Sequence, residues 1–266
     1  MSRRPALAVA LALLLALSGC GALGGSQPET PPGVEDGRLA DADALLAAHA
    51  AQLNGTGFRS ELTLNATARQ RLGGELRNYP VDRQQVVVVE AGGTPYQFRT
   101  LNRQAGASFE AWANDTRQYT RVTTGERVRY AAGAPATVST LAGVDRLDEH
   151  LAAAEYRVTD TEVRNGLRLY TLESETVTDA LSAMPNRTTG VEEYGSTLVV
   201  DSEGRIRAMR VEATYRIGGE QAGFTLGYTL ETVGGIETER PSWVRAAAGG
   251  DDPAMALAAG ARSAEQ

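Results

Sequence analysis

From residue 58 onward, apolar and polar positions alternate. Phe58, Leu62 and Leu64 share one parity, and Arg59, Glu61, Thr63 and Asn65 share the other. That period of two predicts a strand with one buried and one wet face. Arg69 to Tyr79 is polar and is expected to form a long connection or irregular turn. Strands are then expected over Gln85–Ala91, Tyr96–Asn102, Phe109–Ala113, Arg117–Thr123 and Arg127–Ala131. The breaks at Gly92-Gly93, Ala105-Gly106, Asn114-Asp115 and Thr124-Gly125 are short, which favours antiparallel neighbours because a parallel pair requires a longer crossover.

The alternation resumes later in the chain. Tyr156–Val163 and Leu167–Ser174 flank Asn165-Gly166, a strong hairpin signal. Gly195–Val200 and Arg205–Ile217 are joined by the turn Asp201-Ser202-Glu203-Gly204. Ile206 sits on even parity, whereas Met209, Val211, Tyr215 and Ile217 sit on odd, so a β-bulge is expected near Ala208. Phe224, Leu226, Tyr228 and Leu230 then alternate with Thr225, Gly227, Thr229 and Glu231.

Helical spacing occurs in three places. Asp41 is placed to cap a helix that carries Leu45, Leu46, His49 and Leu53 and stops at Asn54-Gly55. Val138, Leu141, Val144, Leu147 and Leu151 predict one helix or two short ones within Thr137 to Ala154, with Asp145 as an internal cap. A third, shorter helix is expected over Thr178 to Met184, ended by Pro185. His49 is expected in packing or at the surface, and His150 on a solvent-exposed face. The fold class is therefore α+β: one large, mostly antiparallel sheet whose apolar face is covered by helices.

Ahead of this pattern, Arg3-Arg4 precede a run of Ala, Leu and Val that ends in Leu17-Ser18-Gly19-Cys20. A charged start, a short apolar core and small residues make an export signal. An aliphatic residue and two small ones before a cysteine match a lipobox, with cleavage before Cys20 and a lipid on its sulfur. Cys20 is the single cysteine, which rules out an internal disulfide. The Arg-Arg start fits either twin-arginine or general export. The expected organisation is a signal peptide over 1–19, a lipidated tether over 20–37, one domain over 38–245 and a disordered tail over 246–266. The location that follows is the extracellular face of the cell membrane, with the membrane as partner through the lipid on Cys20.

Composition narrows the chemistry. The formal charge is −7, and losing the signal removes Arg3 and Arg4 but no acid. Nucleic acid is thus not an expected partner, since its binding requires basic patches. All basic side chains are Arg, which leaves no P-loop, Schiff-base or Lys-base mechanism. With two His and one Cys, no zinc motif forms. There is also no G-x-S-x-G elbow and no G-x-G-x-x-G fingerprint. No catalytic residue, metal or cofactor is expected. Asn54, Asn65, Asn114 and Asn186 head N-x-[ST] triplets and are candidate glycosylation sites.

Asp36 to Leu53, Tyr194 to Val211 and Glu239-Arg240-Pro241-Ser242-Trp243 resemble a family of surface lipoproteins of halophilic archaea, to which no activity is assigned. More distantly, the order of elements is similar to LolA-like and LppX-like lipoprotein carriers. That resemblance implies a curved half-barrel sheet wrapped around helices, with a cavity for acyl chains. The function it implies is binding or carrying a lipid or other apolar molecule, without enzymatic activity. The cavity is expected to be lined by Phe58, Leu62, Tyr96, Phe98, Phe224 and Tyr228, with no charged group required for capture. The competing expectation is a surface interaction or structural lipoprotein with a filled core and no small ligand.

Overall fold

The computed structural model describes residues 30–175, 184–185 and 188–249. Two short strands, β1 (Val34–Glu35) and β2 (Arg38–Leu39), lead into helix α1 (Ala42–Thr56). A meander follows: β3 (Phe58–Leu72), β4 (Glu75–Val89), β5 (Tyr96–Asn102), β6 (Ala107–Ala113), β7 (Gln118–Thr124) and β8 (Arg127–Gly133). Helices α2 (Val138–Leu141) and α3 (Val144–Leu151) interrupt it. The chain returns through β9 (Arg157–Arg164), β10 (Leu167–Ser174), β11 (Thr188–Asp201), β12 (Ile206–Ile217) and β13 (Glu220–Val233), and α4 (Trp243–Gly249) comes last.

Among the described residues thirteen strands form one open antiparallel sheet, ordered β1-β2-β9-β10-β11-β12-β13-β3-β4-β5-β6-β7-β8. Neighbours in the sheet are consecutive in the chain except at two places. β2 meets β9, and β13 returns to lie against β3, where Leu226 faces Leu64. This last seam joins the early meander to the late one.

Strand parity sets the core. Phe58 and Leu62 of β3, Val87 and Val89 of β4, and Phe224, Leu226, Tyr228 and Leu230 of β13 are all buried on one face. In β12, Val199 of β11 faces Ala208 while Val200 faces Ile206, so Arg207 is the extra residue of a bulge. The slip puts Ile206 and Met209 on the same buried face despite their opposite parity. The hairpin at Asn165-Gly166 has both central residues at positive φ, 54° and 80°, as a type I′ turn requires.

The α1 side chains Leu45, Leu46, His49 and Leu53 are buried and belong with the strand residues to one apolar cluster. Asp41 caps this helix, its Oδ1 accepting the Ala44 N–H at 2.9 Å. The chain leaves the helix at Gly57, φ 70°, where a Cβ would stand 2.7 Å from the Ala91 nitrogen. Only glycine suits that exit. The turn between β11 and β12 lies against α1. Fully buried Asp201 accepts the N–H groups of Glu203 (3.1 Å) and Arg205 (3.0 Å) and the Arg205 Nε (2.7 Å).

Several expectations need correction. Arg69 to Tyr79 is not a loose connection, because β3 and β4 run through it to a tight turn at Gly73-Gly74. Asp145 does not cap; α3 starts from Gly143 in the left-handed region, without a side-chain cap, and Asp145 lies in its first turn. Packing begins inside the stretch expected to be tether, since Val34 is 5% exposed and joins the core. At the other end α4 extends to Gly249, into the expected tail. Residues 1–29, with the signal and Cys20, lie outside the described residues, as do 176–183, the body of the third expected helix, and 250–266.

The face opposite the core carries its own aromatic cluster around α4. Trp112 stacks on Tyr119 at 6.4 Å, and Tyr130 stacks on Trp243 at 6.4 Å. The Arg121 guanidinium lies 5.4 Å from the Trp243 ring, and that of Arg240 lies 5.4 Å from Trp112. Buried Val244 completes the attachment of α4 to the sheet.

Candidate functional site

Where β3, β4 and β13 run past α3, the apolar face opens into a groove of about 460 Å³. Leu64 and Ala66 of β3, Val81 of β4, and Phe224 and Leu226 of β13 supply its apolar lining. These residues meet because β3 lies between β4 and β13, with Leu64 facing both Arg83 and Leu226. Met184 adds an apolar side chain, and Tyr79 a ring with a hydroxyl. A volume of this size falls within the range of small-molecule sites, roughly 300–1,000 Å³.

The charged lining comes from Arg69, Arg83, Arg146 and Glu149. Arg146 and Glu149 pair with each other along α3. Arg83 shares the inward parity of Val81, Val87 and Val89, and it forms no ion pair among the described residues. Arg69 packs its guanidinium on Gly218, where a Cβ would come within 1.6 Å of Nη1. The Arg69 Nε is buried and has no hydrogen-bond partner among the described residues.

Both histidines are fully buried, so His150 is not on a solvent-exposed face as expected. It sits behind the groove wall, its ring 5.6 Å from that of Phe224, and neither ring nitrogen has a hydrogen-bond partner among the described residues. Burial, and secondarily the positive charge of Arg146, push its pKa down to about 4. His49 is partnered: Nδ1 accepts the Ile206 N–H at 3.1 Å, and Nε2 lies 3.3 Å from the Tyr228 hydroxyl. Burial lowers its pKa to about 4 as well. Tyr156 and Ser196 form another buried polar pair, 2.8 Å apart. Among the described residues, no cluster of three His, Cys, Asp or Glu side chains is placed to hold a metal ion.

The residues expected to line a cavity divide between core and groove. Phe58, Leu62, Tyr96 and Tyr228 are packed in the core, 0–8% exposed, and Phe98 is half-buried with its ring 5.6 Å from Phe109. Phe224 alone of the six lines the groove. Tyr96 bonds outward instead, its hydroxyl accepting the Ala136 N–H at 2.8 Å and donating to Gln118. The groove residues that the sequence did not single out include Leu64, Ala66, Val81, Arg69 and Arg83. No signal in β4 marked them, because its inward parity mixes Val81, Val87 and Val89 with Arg83, Gln85, Arg77 and Glu75. Asn54, Asn65 and Asn114 are exposed, and the Asn114 Oδ1 accepts the N–H groups of Thr116 and Arg117; Asn186 lies outside the described residues.

Three solved structures are similar to the chain in outline. The lipoprotein LppX of Mycobacterium tuberculosis is 12% identical, covering 73% of this chain and 97% of its own, with a TM-score of 0.31. A LolA superfamily protein of Nitrosomonas europaea is 11% identical over 76% and 96%, with a TM-score of 0.25. A DUF1329 family protein of Desulfovibrio piger is 12% identical over 74% and 93%, with a TM-score of 0.28. No curated protein matches the chain. A family model matches residues 5–247, nearly all of the sequence that forms the sheet, the groove and α4, and the chain belongs to that family, the family of unknown function DUF7537.

Proposed function

We propose that this protein is a lipid-anchored lipoprotein of the extracellular membrane face that holds an apolar molecule between its sheet and its helices. In this reading the helices cover the apolar face of a half-barrel and leave one end of it open. The groove lined by Leu64, Ala66, Val81, Phe224 and Leu226 carries the proposal. Apolar surface exposed to water in a concave site favours an apolar occupant, at roughly 25 cal/mol per Å² buried. The anchor is the lipid proposed on Cys20, in an expected lipobox that lies outside the described residues.

A second reading has a specific observation behind it. Phe58, Leu62, Tyr96 and Tyr228 are buried in the core, 0–8% exposed, as they would be in a structural or interaction protein with a filled core. The two readings part at Leu64. Purify the full chain and a Leu64→Trp variant from the same membranes, extract each with organic solvent, and quantify lipid per chain by mass spectrometry. A carrier loses its co-purifying lipid when the indole fills the groove. Equal lipid in both preparations supports the filled-core reading instead.

A further inference from the structure

The groove has a local charge opposite to that of the chain. The whole sequence is acidic, with a formal charge of −7. Yet the groove lining contains three guanidiniums and one carboxylate, and that carboxylate, Glu149, is taken by Arg146. Arg69 and Arg83 remain without a carboxylate among the described residues.

Arg83 stands directly across from Leu64, on the parity that Val81, Gln85, Val87 and Val89 share in β4. An arginine there keeps an exposed charge beside the apolar lining, where it can pair with an anion. Arg69 lays its guanidinium against Gly218, whose φ of 63° is a backbone conformation that favours glycine. Its buried Nε is a donor with no acceptor among the described residues. Buried donors are normally satisfied, and leaving one unpaired is costly.

We propose that the groove takes a single amphiphile with an anionic headgroup, a carboxylate or phosphate, its chain on Leu64, Ala66 and Val81 and its head on Arg83 and Arg69. This rests on the groove reading above and adds the headgroup to it. In this proposal a charged group contributes to capture, beyond the apolar lining alone. A neutral amphiphile of equal chain length fills the same apolar surface but leaves both guanidiniums unpaired.

The test uses palmitate and methyl palmitate, which share one chain and differ in headgroup charge. Native mass spectrometry of the full chain, released from nonionic micelles at pH 8, reads the 1:1 adduct with each. The expected result is a roughly tenfold preference for palmitate, the scale of one charge-assisted hydrogen bond. It should shrink toward unity in Arg83→Gln and when the complex is formed in 1 M salt. Arg83 is exposed, so its substitution leaves the core intact, and an unchanged melting temperature checks this. Equal binding of the two ligands overturns the headgroup proposal and leaves the groove reading standing. A preference that survives in Arg83→Gln also overturns it. If neither ligand binds, or if Leu64→Trp leaves both adducts unchanged, the groove reading itself falls.

Discussion

The His49 Nδ1 accepts the backbone N–H of Ile206 at 3.1 Å, tying the middle of α1 to the strand that begins beside the β12 bulge. That bond fixes the tautomer. Nδ1 must be unprotonated to accept, which puts the single ring proton on Nε2, facing the Tyr228 hydroxyl. A protonated His49 turns the acceptor into a second donor aimed at an N–H.

Stability should therefore fall in mild acid. His49 and His150 both titrate near 4 when folded, against 6.5 for an unperturbed histidine. Above pH 6.5 neither state binds these protons, so they add no slope. Between 6.5 and 4 the unfolded chain takes up protons that the folded one refuses, and stability drops as pH falls, by on the order of 2–3 kcal/mol per histidine. Denaturant midpoints at pH 7 and 4.5 measure the slope. His150→Leu should flatten it without loss at pH 7, because its nitrogens have no hydrogen-bond partner among the described residues; His49→Leu should cost about 1–3 kcal/mol at pH 7 through two lost hydrogen bonds. Identical behaviour of the two variants would contradict these assignments.

Register in β13 gives a sharper contrast. Leu226 is fully buried, whereas its neighbour Thr225 is partly exposed on the other face. Leu226→Asp should lose several kcal/mol, since it buries an unpaired carboxylate. Thr225→Asp should stay within about 1 kcal/mol. Thermal melts of the pair decide it, and equal melting temperatures would place the strand in the wrong register.

At the C-terminus, Trp243 joins α4 to the sheet through Tyr130 and Arg121. Trp243→Ala removes one ring stack and one cation–π contact, together about 1–2 kcal/mol. The loss should be local. Amide exchange over 243–249 should accelerate while β3 and β13 keep their protection, and unchanged exchange in α4 would mean that Val244 alone holds it.

Anchoring is tested separately from folding. Cys20→Ser removes the sulfur that would carry lipid, and with it the affinity that acyl chains supply at about 0.8 kcal/mol per buried CH₂. Cell fractionation should move the variant out of the tightly bound membrane fraction. Retention there would make the apolar run ahead of Cys20 the anchor.

Much of the sheet was legible because most strands bury one face. Tyr96–Asn102 and Leu167–Ser174 match their expected bounds, and the parity slip at Ile206 located the bulge. The β3–β4 arm was missed for the same physical reason. Beyond Ala66 and Val81 it leaves the core, so both faces meet water and the alternation that marks a strand disappears. The groove was illegible for another reason: its place depends on where α3 ends against β3 and β13, a packing relation between residues far apart in the chain. The same holds for His150, whose ring lies 5.6 Å from that of Phe224, far away in the chain.

The seam between β3 and β13 also governs how the molecule comes into being. Leu64 is made well before its partner Leu226, with β4 to β12 synthesised between them. Until then β3 and the meander after it present an unpaired edge beside an uncovered apolar face. Pairing over such a separation carries the entropy of closing a very long loop, which slows folding and gathers it into a late event. The nascent chain thus stays open and adhesive until its last long strand emerges, and any truncation before Val233 should strand it there, a substrate for chaperones and proteases more than a folded fragment.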